Sequence, residues 1–248
     1  MKIAILSDIH GNLSALDAVL ADLDARGGAD QIVVLGDVVA MGPQPREVID
    51  RLRDLECTVI QGNTDTWYAP DAPPPLPPKK AKSKREERIL RLYHWLKGEL
   101  RPADVEFLNA LPFSYEVAAG TERLWFVHGS PRKNTEGLWS TTPDEELRKA
   151  LKPARKAGVT VVAGGHTHQA MMRELDDIVV VNPGVVGPQG NGDVRASYGV
   201  LIADDAGLHI ELHRIAYDPA PTVEAAQERG FPMPKRYARK LRQGIEML

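Results

Sequence analysis

Short apolar runs, each of strand length, recur along the whole of the 248-residue chain. They occupy residues 2–6, 31–35, 57–60, 124–127, 159–163, 178–181 and 198–203. Most are rich in valine and isoleucine, a composition typical of strands that are buried on both faces of a sheet. Hydrophobic residues distributed in this way restrict the chain to a fold that is built around β-sheets.

Helical patterns alternate with these runs in the first half of the chain. Asn12 can cap a helix over residues 13–23, whose leucines recur at helical spacing, and Pro45 can open a second helix. In the second half, strands follow one another with only turns between them, as in residues 178–215. The sequence therefore combines βαβ units with an antiparallel meander, which predicts an α/β (α+β) fold.

Composition restricts the class of protein but identifies no partner. The 31 Lys and Arg residues nearly balance the 34 Asp and Glu residues, so the net charge favours neither nucleic acid nor a membrane surface. The single cysteine, Cys57, follows Glu56 in a predicted strand and is expected to be a small buried hydrophobe in a reducing compartment. The apolar run at residues 3–6 is too short for the core of a signal peptide, and no run approaches the roughly 20 apolar residues of a spanning helix, so we expect neither. We therefore expect a cytoplasmic protein without membrane contact.

One segment differs in composition from the rest of the chain. Residues 69–78 are too rich in proline for a helix or a central strand, and a basic stretch over residues 79–91 then leads into an amphipathic helix. A basic patch beside aromatic residues can bind nucleic acid. Glu86 and Glu87 interrupt this one, so a solvated, salt-bridging helix face is the favoured interpretation. We interpret residues 66–111 as an insertion over one edge of the core.

Polar side chains with metal-binding potential follow five of the predicted strands, at the point where each strand ends. They are Asp8 and His10, Asp37, Asn63, His128, and the pair His166 and His168. Glycines lie beside them, and they include four of the 7 histidines in the chain. Because parallel strands bring their carboxyl ends to one crevice, we expect these side chains to meet.

Each of these residues alone has an ordinary structural explanation. An Asp or Asn after a strand is usually a turn residue or a helix cap, and a lone His is more often a hydrogen-bonded core residue. Five strand ends that carry only Asp, His and Asn do not fit that explanation. Carboxylate, imidazole and amide oxygen together are the ligands of divalent ions such as Mn²⁺, Zn²⁺ and Fe²⁺. The set therefore predicts a metal site.

The order Asp-x-His, Gly-Asp, Gly-Asn, His and Gly-His-x-His resembles the calcineurin-like metallophosphoesterase superfamily, from residue 1 to about 217. The stretches "NPGVVG" at 182–187 and "RASYGVL" at 195–201 are similar to its small bacterial and archaeal branch of phosphodiesterases and diadenosine-tetraphosphatase-like proteins. The resemblance implies a four-layer αββα sandwich of two mixed β-sheets flanked by helices. It implies a metallophosphoesterase domain over 1–217, with the insertion at 66–111, and a helical tail over 218–248 that packs on it.

The resemblance also implies a two-metal site. One ion would be held by Asp8, His10, Asp37 and His168, and the other by Asp37, Asn63, His128 and His166, with Asp37 as the bridge. Mn²⁺ is the favoured metal, and Fe, Zn or Ni are alternatives. Two ions roughly 3.5–4 Å apart can lower the pKa of a shared water to about 7, and the resulting hydroxide would attack phosphorus in line. Asp37, Asn63 and His128 would carry the catalysis.

The sequence departs from the family pattern at two places. Thr64 stands in "GNTD" where the family has a histidine that protonates the leaving group, and a threonine hydroxyl is no general acid near pH 7. This change predicts weaker activity or a preference for good leaving groups. Val185 and Gly190 replace a serine and an arginine of a phosphate-binding loop. Thr64, Arg132 and Arg195 are therefore the candidates for binding the substrate.

Three functions fit this sequence. The first is a phosphodiesterase acting on a small phosphoester, with a phosphomonoesterase or a dinucleoside-polyphosphate hydrolase as variants. The second is a non-catalytic scaffold of the same fold, and the third is a nucleic-acid partner that uses the basic stretch. Because a competent ligand fills each of the seven metal positions, the enzyme is favoured. The sequence predicts no oligomeric state.

Overall fold

The computed structural model describes residues 1–69, 72, 75, 83–204 and 207–245. Its strands are β1 (Lys2–Leu6), β2 (Gln31–Val34), β3 (Thr58–Val59), β4 (Ser114–Ala119), β5 (Glu122–Val127), β6 (Val161–Ala163), β7 (Met171–Leu175), β8 (Ile178–Asn182), β9 (Ala196–Asp204) and β10 (Gly207–Ile215). Its helices are α1 (Leu13–Ala25), α2 (Pro45–Asp54), α3 (Lys84–Glu99), α4 (Pro102–Ala110), α5 (Asp144–Lys156), α6 (Ala220–Glu228) and α7 (Pro234–Gln243). A short 3₁₀ helix spans Asp65–Tyr68.

The strands form two five-stranded sheets, and both sheets are mixed. The first has the order β10-β9-β1-β2-β3, in which β1, β2 and β3 are parallel and β9 and β10 are antiparallel to their neighbours. The second has the order β4-β5-β6-β8-β7, in which β5, β6 and β8 are parallel and the edge strands β4 and β7 are antiparallel. Five of these six parallel strands, β1, β2, β3, β5 and β6, lead into the predicted ligands, whereas β8 ends in Asn182.

Side-chain alternation along β1 shows how the layers stack. Ile3 and Ile5 lie in a buried cluster together with Phe126 of the second sheet. Ala4 and Leu6 point to the opposite face, where they share a cluster with residues of α1 and α2. On the far side of the second sheet, α5 packs against β5, β6 and β8. These contacts confirm the predicted four-layer αββα sandwich.

The helices of the first half form where the sequence predicts them. Asn12 caps α1, since its Oδ1 accepts a hydrogen bond from the backbone N–H of Ala15 at 3.2 Å. Pro45 begins α2, where its missing N–H costs no hydrogen bond. Each helix buries one apolar face against the first sheet.

The predicted insertion and the predicted C-terminal tail contact each other. In α3, Tyr93 stacks on Tyr68 with ring centroids 5.6 Å apart, and Leu92 packs with Phe231 and Tyr237 of the tail. The helix α3 therefore packs against both the core and the tail, while Thr222 of α6 also contacts Asn12 directly. Most of the proline-rich loop, the lysines at 79–82 and the last three residues of the tail lie outside the described residues. The domain boundaries stay a prediction.

Some expectations about the fold were incomplete or wrong. The edge strands β4 and β7 and the helix α4 were not predicted. The run at 57–60 forms only a two-residue strand, and Cys57, which was expected to be buried, is half-buried just before it. Its burial nevertheless raises the pKa of the thiol to about 11. Within the described residues, no helix has the length and apolar character needed to cross a bilayer.

Candidate metal centre

The predicted ligands occupy unusually strained backbone positions. Asp8, His10, Asp37, His166 and His168 have φ angles of 56°, 52°, 53°, 63° and 59°. A left-handed backbone conformation is uncommon for residues other than glycine and costs roughly 1–2 kcal/mol at each position. Strain concentrates where a side chain has to be aimed at a particular point, so these five residues, which lie in three loops, indicate a functional site.

The loops that carry the ligands touch one another so closely that only glycine fits between them. A Cβ atom on Gly165 would lie 1.9 Å from the Ser7 hydroxyl, and one on Gly62 would lie 2.2 Å from Asp37 Oδ1. The glycines beside the predicted ligands are therefore more than turn residues. They allow the ends of strands from both sheets to approach one point.

The first ligand group consists of Asp8, His10 and His168. The Nε2 atom of His168 lies 3.2 Å from Asp8 Oδ1 and 3.1 Å from the Nε2 atom of His10. The Nδ1 atom of His10 lies 2.9 Å from the carbonyl oxygen of Ala40, which can only accept a hydrogen bond. That carbonyl therefore fixes the proton on Nδ1 and leaves the lone pair of His10 Nε2 directed into the group.

Asp8 provides the test of whether a cation fits this group. Its Oδ2 atom accepts hydrogen bonds from the Ser7 hydroxyl at 2.6 Å and from the backbone N–H of His166 at 3.0 Å. Its Oδ1 atom is buried, and no donor among the described residues is aligned with it. A buried carboxylate oxygen without a hydrogen bond, next to two imidazole nitrogens, is the environment that a divalent cation satisfies. The residues fit a metal ion.

The second group consists of Asp8, Asp37 and His128, whose ligand atoms lie within 4.8 Å of one another. The Nδ1 atom of His128 lies 2.6 Å from the carbonyl oxygen of Leu35, so its Nε2 atom faces the group. That Nε2 atom lies 3.0 Å from Asn63 Oδ1 and 3.5 Å from Asp37 Oδ1. A second set of oxygen and nitrogen ligands is thus assembled beside the first.

Asp37 belongs to the second group and also approaches the first. Its Oδ2 atom is 4.0 Å from His10 Nε2, and its Oδ1 atom is 3.5 Å from His128 Nε2. The ring of His166 completes the arrangement, with its centroid 5.2 Å from that of His128. The structure therefore brings all seven predicted ligands together, with Asp8 in both groups and Asp37 near a histidine of each.

The electrostatics of the site favour the metal-binding forms of His10 and Asp8, but not that of His128. Burial lowers the pKa of His10 to about 4, and Asp37 offsets only part of this effect, so the imidazole is neutral at physiological pH. Burial alone would raise the pKa of Asp8, but His168, followed by His128 and His10, holds it well below its usual range. Asp37 and Asp8 raise the pKa of His128 against the effect of burial.

Asn182 supports the site and was not identified from the sequence. Its Nδ2 atom donates to the carbonyl oxygen of Gly165 at 2.7 Å and to Thr167 Oγ1 at 3.1 Å. Its Oδ1 atom accepts a hydrogen bond from the backbone N–H of Gly184 at 2.8 Å. The Asn-Pro-Gly motif thus holds the turn that presents both histidines. This motif could have identified Asn182 from the sequence, since an Asn before Pro-Gly at a strand end commonly fixes a turn.

The three predicted substrate-binding residues lie in different environments. Thr64 is buried beside the ligands, and its backbone N–H donates to Asp37 Oδ1 at 2.8 Å. Arg132 is exposed and pairs with Glu136, with Nε 3.0 Å from Oε2, while Arg195 is exposed and pairs with Asp193 at 2.9 Å. Each of the two arginines is therefore paired with a carboxylate of the loop in which it lies. A role in phosphate binding stays a prediction for all three residues.

Candidate metal ligands gathered at the strand ends of a two-sheet sandwich indicate a metal-dependent enzyme. The chain belongs to the calcineurin-like phosphoesterase superfamily, whose domain model matches residues 1–206. The family identifies a phosphoric ester hydrolase and implies divalent metal ions as cofactors. This result confirms the resemblance that the motifs indicated.

Similar proteins are known from archaea and bacteria. An uncharacterized protein of Methanocaldococcus jannaschii is 27% identical over 245 residues, which cover 93% of each chain. The phosphodiesterase YfcE of Escherichia coli is 28% identical over 215 residues, covering 82% of this chain and 89% of YfcE. The crystal structure of a metallophosphoesterase from Sphaerobacter thermophilus superposes with a TM-score of 0.73 and 28% identity, covering 99% of this chain and 100% of the other.

Proposed function

We propose that the chain is a phosphodiesterase with two metal ions. Asp8, His10, Asp37 and His168 would hold one ion, and Asp37, Asn63, His128 and His166 would hold the other. The single observation that carries this proposal is the position of Asp37, with one carboxylate oxygen toward each ligand group. Two bound divalent ions supply positive charge to the phosphoryl oxygens and lower the pKa of a coordinated water.

The residues of the chain prepare the site for that chemistry. The carbonyl oxygens of Ala40 and Leu35 hold the protons of His10 and His128 on Nδ1, so both Nε2 atoms can act as ligands without rearrangement. The backbone N–H of Thr64 orients the Asp37 carboxylate through its Oδ1 atom. Because these groups are fixed before the substrate binds, little reorganisation is needed during the reaction.

The composition of the ligand set supports Mn²⁺ as the metal. Four of the seven ligands are imidazoles, which suit transition ions better than Mg²⁺, whereas the carboxylates and the Asn63 amide suit Mn²⁺ among those ions. Fe, Zn and Ni are the alternatives. The half-buried, single Cys57 fits the predicted location in the reducing cytoplasm.

The charge around the site supports a small diester as substrate. The cavity beside His166 and His168 has no lysine or arginine among its described lining residues, and the two candidate arginines are paired with carboxylates. A phosphomonoester carries one more negative charge than a diester, so it would depend more on an unpaired lysine or arginine beside the metal ligands. The name of the similar protein YfcE also supports a phosphodiesterase. Nucleic acid is not the favoured partner.

The test is a substrate panel on protein that has been stripped with a chelator and reloaded with one metal at a time. The panel contains bis(4-nitrophenyl) phosphate, 4-nitrophenyl phosphate and a dinucleoside polyphosphate. We expect the diester to be hydrolysed best, with Mn²⁺ better than Mg²⁺. A preference for the monoester or the polyphosphate would select one of the variant activities. No turnover of any phosphoester with any metal would favour the scaffold.

A further inference from the structure

A cavity of about 280 Å³ opens beside the metal centre, and His166 and His168 form part of its wall. The rest of the wall includes Trp139, Gln169, Gln189 and Asn191. Among the described residues that line it, there is no lysine, arginine, aspartate or glutamate. A substrate whose phosphorus lies at the metal ligands therefore has one of its ester groups next to an uncharged, aromatic and amide-rich surface.

Trp139 is exposed but held in place. It is 43% exposed, although the preceding Leu138 is buried in the core. Its backbone N–H donates to Thr142 Oγ1 at 3.0 Å, and its carbonyl oxygen accepts a hydrogen bond from the backbone N–H of Thr142 at 3.1 Å. Its indole Nε1 lies over Gly137, where a Cβ atom would be only 2.8 Å away. A fixed, exposed indole on a cavity wall offers a flat surface for stacking.

Two amide side chains of this wall are oriented by contacts behind the cavity. The Nε2 atom of the buried Gln189 donates to Ser197 Oγ at 3.2 Å and to the carbonyl oxygen of Arg195 at 3.4 Å, which leaves its Oε1 as an acceptor. The Oδ1 atom of Asn191 accepts a hydrogen bond from the backbone N–H of Asp193 at 3.1 Å, which leaves its Nδ2 as a donor. The wall thus presents an acceptor and a donor near an aromatic ring.

We propose that this cavity binds the nucleobase of a nucleoside phosphodiester, with the base stacked on Trp139 and its edge hydrogen-bonded by Gln189 and Asn191. A nucleobase is planar, uncharged and lined by donors and acceptors, so it complements all three features. A charged ester group would find no counter-ion here, and an alkyl group would leave the amides without partners. The inference rests on the proposed phosphodiesterase function.

The test compares two diesters that have the same leaving group. Thymidine 5′-(4-nitrophenyl phosphate) and methyl 4-nitrophenyl phosphate both release nitrophenolate, so they differ only in the group that would occupy the cavity. We expect wild type to hydrolyse the thymidine ester with a kcat/KM higher by about tenfold or more, the usual effect of stacking one base on an aromatic side chain. Trp139→Ala should lose this preference mainly through KM, and Trp139→Phe should keep most of it.

A control variant and a binding measurement separate this inference from the proposed function. Phe113→Ala removes another exposed aromatic side chain, 41% exposed, and should leave the preference unchanged. Adenosine 5′-monophosphate should quench tryptophan fluorescence in the wild type and not in Trp139→Phe, with or without metal. Equal kcat/KM for both diesters in the wild type would overturn the inference while the proposed function stands. If neither diester is hydrolysed, the proposed function fails, and absence of quenching would overturn base binding as well.

Discussion

The Oδ2 atom of Asp65 accepts a hydrogen bond from the backbone N–H of Asp37 at 2.9 Å. The same atom accepts a second one from the backbone N–H of Gly62 at 2.9 Å, and Oδ1 accepts a third from Val38 at 3.0 Å. One fully buried carboxylate therefore joins the loop that carries Asp37 to the loop that carries Asn63. Burial and the charge of Asp37 raise the pKa of Asp65 to about 7.

We predict that Asp65→Asn weakens metal binding by roughly 10- to 100-fold, the usual effect of removing a group that orients a ligand. The substitution places an NH₂ group against one or more backbone N–H donors, so the two loops must move apart. Calorimetric titration with Mn²⁺ measures the change. The exposed Asp54→Asn is the control for loss of one carboxylate. Affinity equal to that of the wild type would show that Asp65 does not position the ligands.

Asp37→Asn is predicted to have the largest effect of any ligand substitution, because it removes a shared negative charge from both ions at once. Elemental analysis should find both ions lost, or one ion retained with negligible turnover. Asn63→Ala is the matched comparison, since it removes a ligand proposed for the second ion alone and should leave the first in place. Two ions and near-normal turnover in Asp37→Asn would refute the bridging assignment.

Thr64→His is predicted to make hydrolysis less dependent on the leaving group. Nitrophenolate departs without a proton, whereas an alkoxide needs one, and an imidazole at this position can donate it. Poor leaving groups should accelerate by about 10-fold if the ring reaches the departing oxygen, and less if the pocket, where Thr64 is 5% exposed, does not accommodate it. The measurement is kcat/KM across diesters of graded leaving-group pKa, with metal occupancy matched.

The control for that experiment is Thr64→Val, which keeps the shape of the side chain and removes the hydroxyl whose oxygen has no partner among the described residues. A steeper dependence of kcat/KM on leaving-group pKa in Thr64→Val would show that the hydroxyl assists the departure of the leaving group. Parallel plots for wild type and Thr64→His would exclude the missing general acid as the cause of slow alkoxide release and leave Thr64 a structural residue.

Stability should depend on pH through Asp104 at the start of α4. Burial alone would raise the pKa of Asp104, but hydrogen bonds from the side chain and backbone of Arg101 lower it. Because the folded pKa lies below the unfolded one, this stabilisation is complete above about pH 4 and is lost as the pH falls through the folded pKa. Asp104→Asn should cost about 1–2 kcal/mol at pH 7, a modest value because Arg101 is 42% exposed on its side chain.

Urea unfolding of wild type and Asp104→Asn between pH 7 and pH 3.5 measures this effect, and the difference between the two proteins should shrink toward the acid end. Asp17→Asn is the control, since Asp17 pairs with Arg51 at the surface with 51% of its side chain exposed. A difference that stays constant down to pH 3.5 would contradict the assignment.

The ligands of the metal centre could be predicted from the sequence because each one follows a strand with a clear apolar signature. The parallel arrangement of those strands then places their ends together. The edge strand β7, Met171–Leu175, has only its first and last residues buried and gives no apolar run, so its sequence predicts neither strand nor helix. The strand β4 was missed for the same reason, since Ala119 is its only buried residue.

Residues that reach the site through the tertiary fold could not be predicted in this way. Trp139 lies in a loop before α5, and no local pattern relates it to His166 or to Gln189, about 50 positions further along the chain. The pairing of Arg132 with Glu136 is an i, i+4 contact outside any helix, and depends on the path of its loop. Sequence periodicity describes helices and strands, but it does not describe the loops that shape a cavity.

The central claim, that this chain hydrolyses phosphodiesters with two metal ions, is tested most directly by one titration. Chelator-stripped protein receives Mn²⁺ in steps, and bound metal per chain and the rate of bis(4-nitrophenyl) phosphate hydrolysis are measured on the same samples. We predict that binding saturates at two ions per chain and that turnover rises with occupancy of the second. Saturation at two ions without turnover, or full turnover in the stripped protein, would contradict the account.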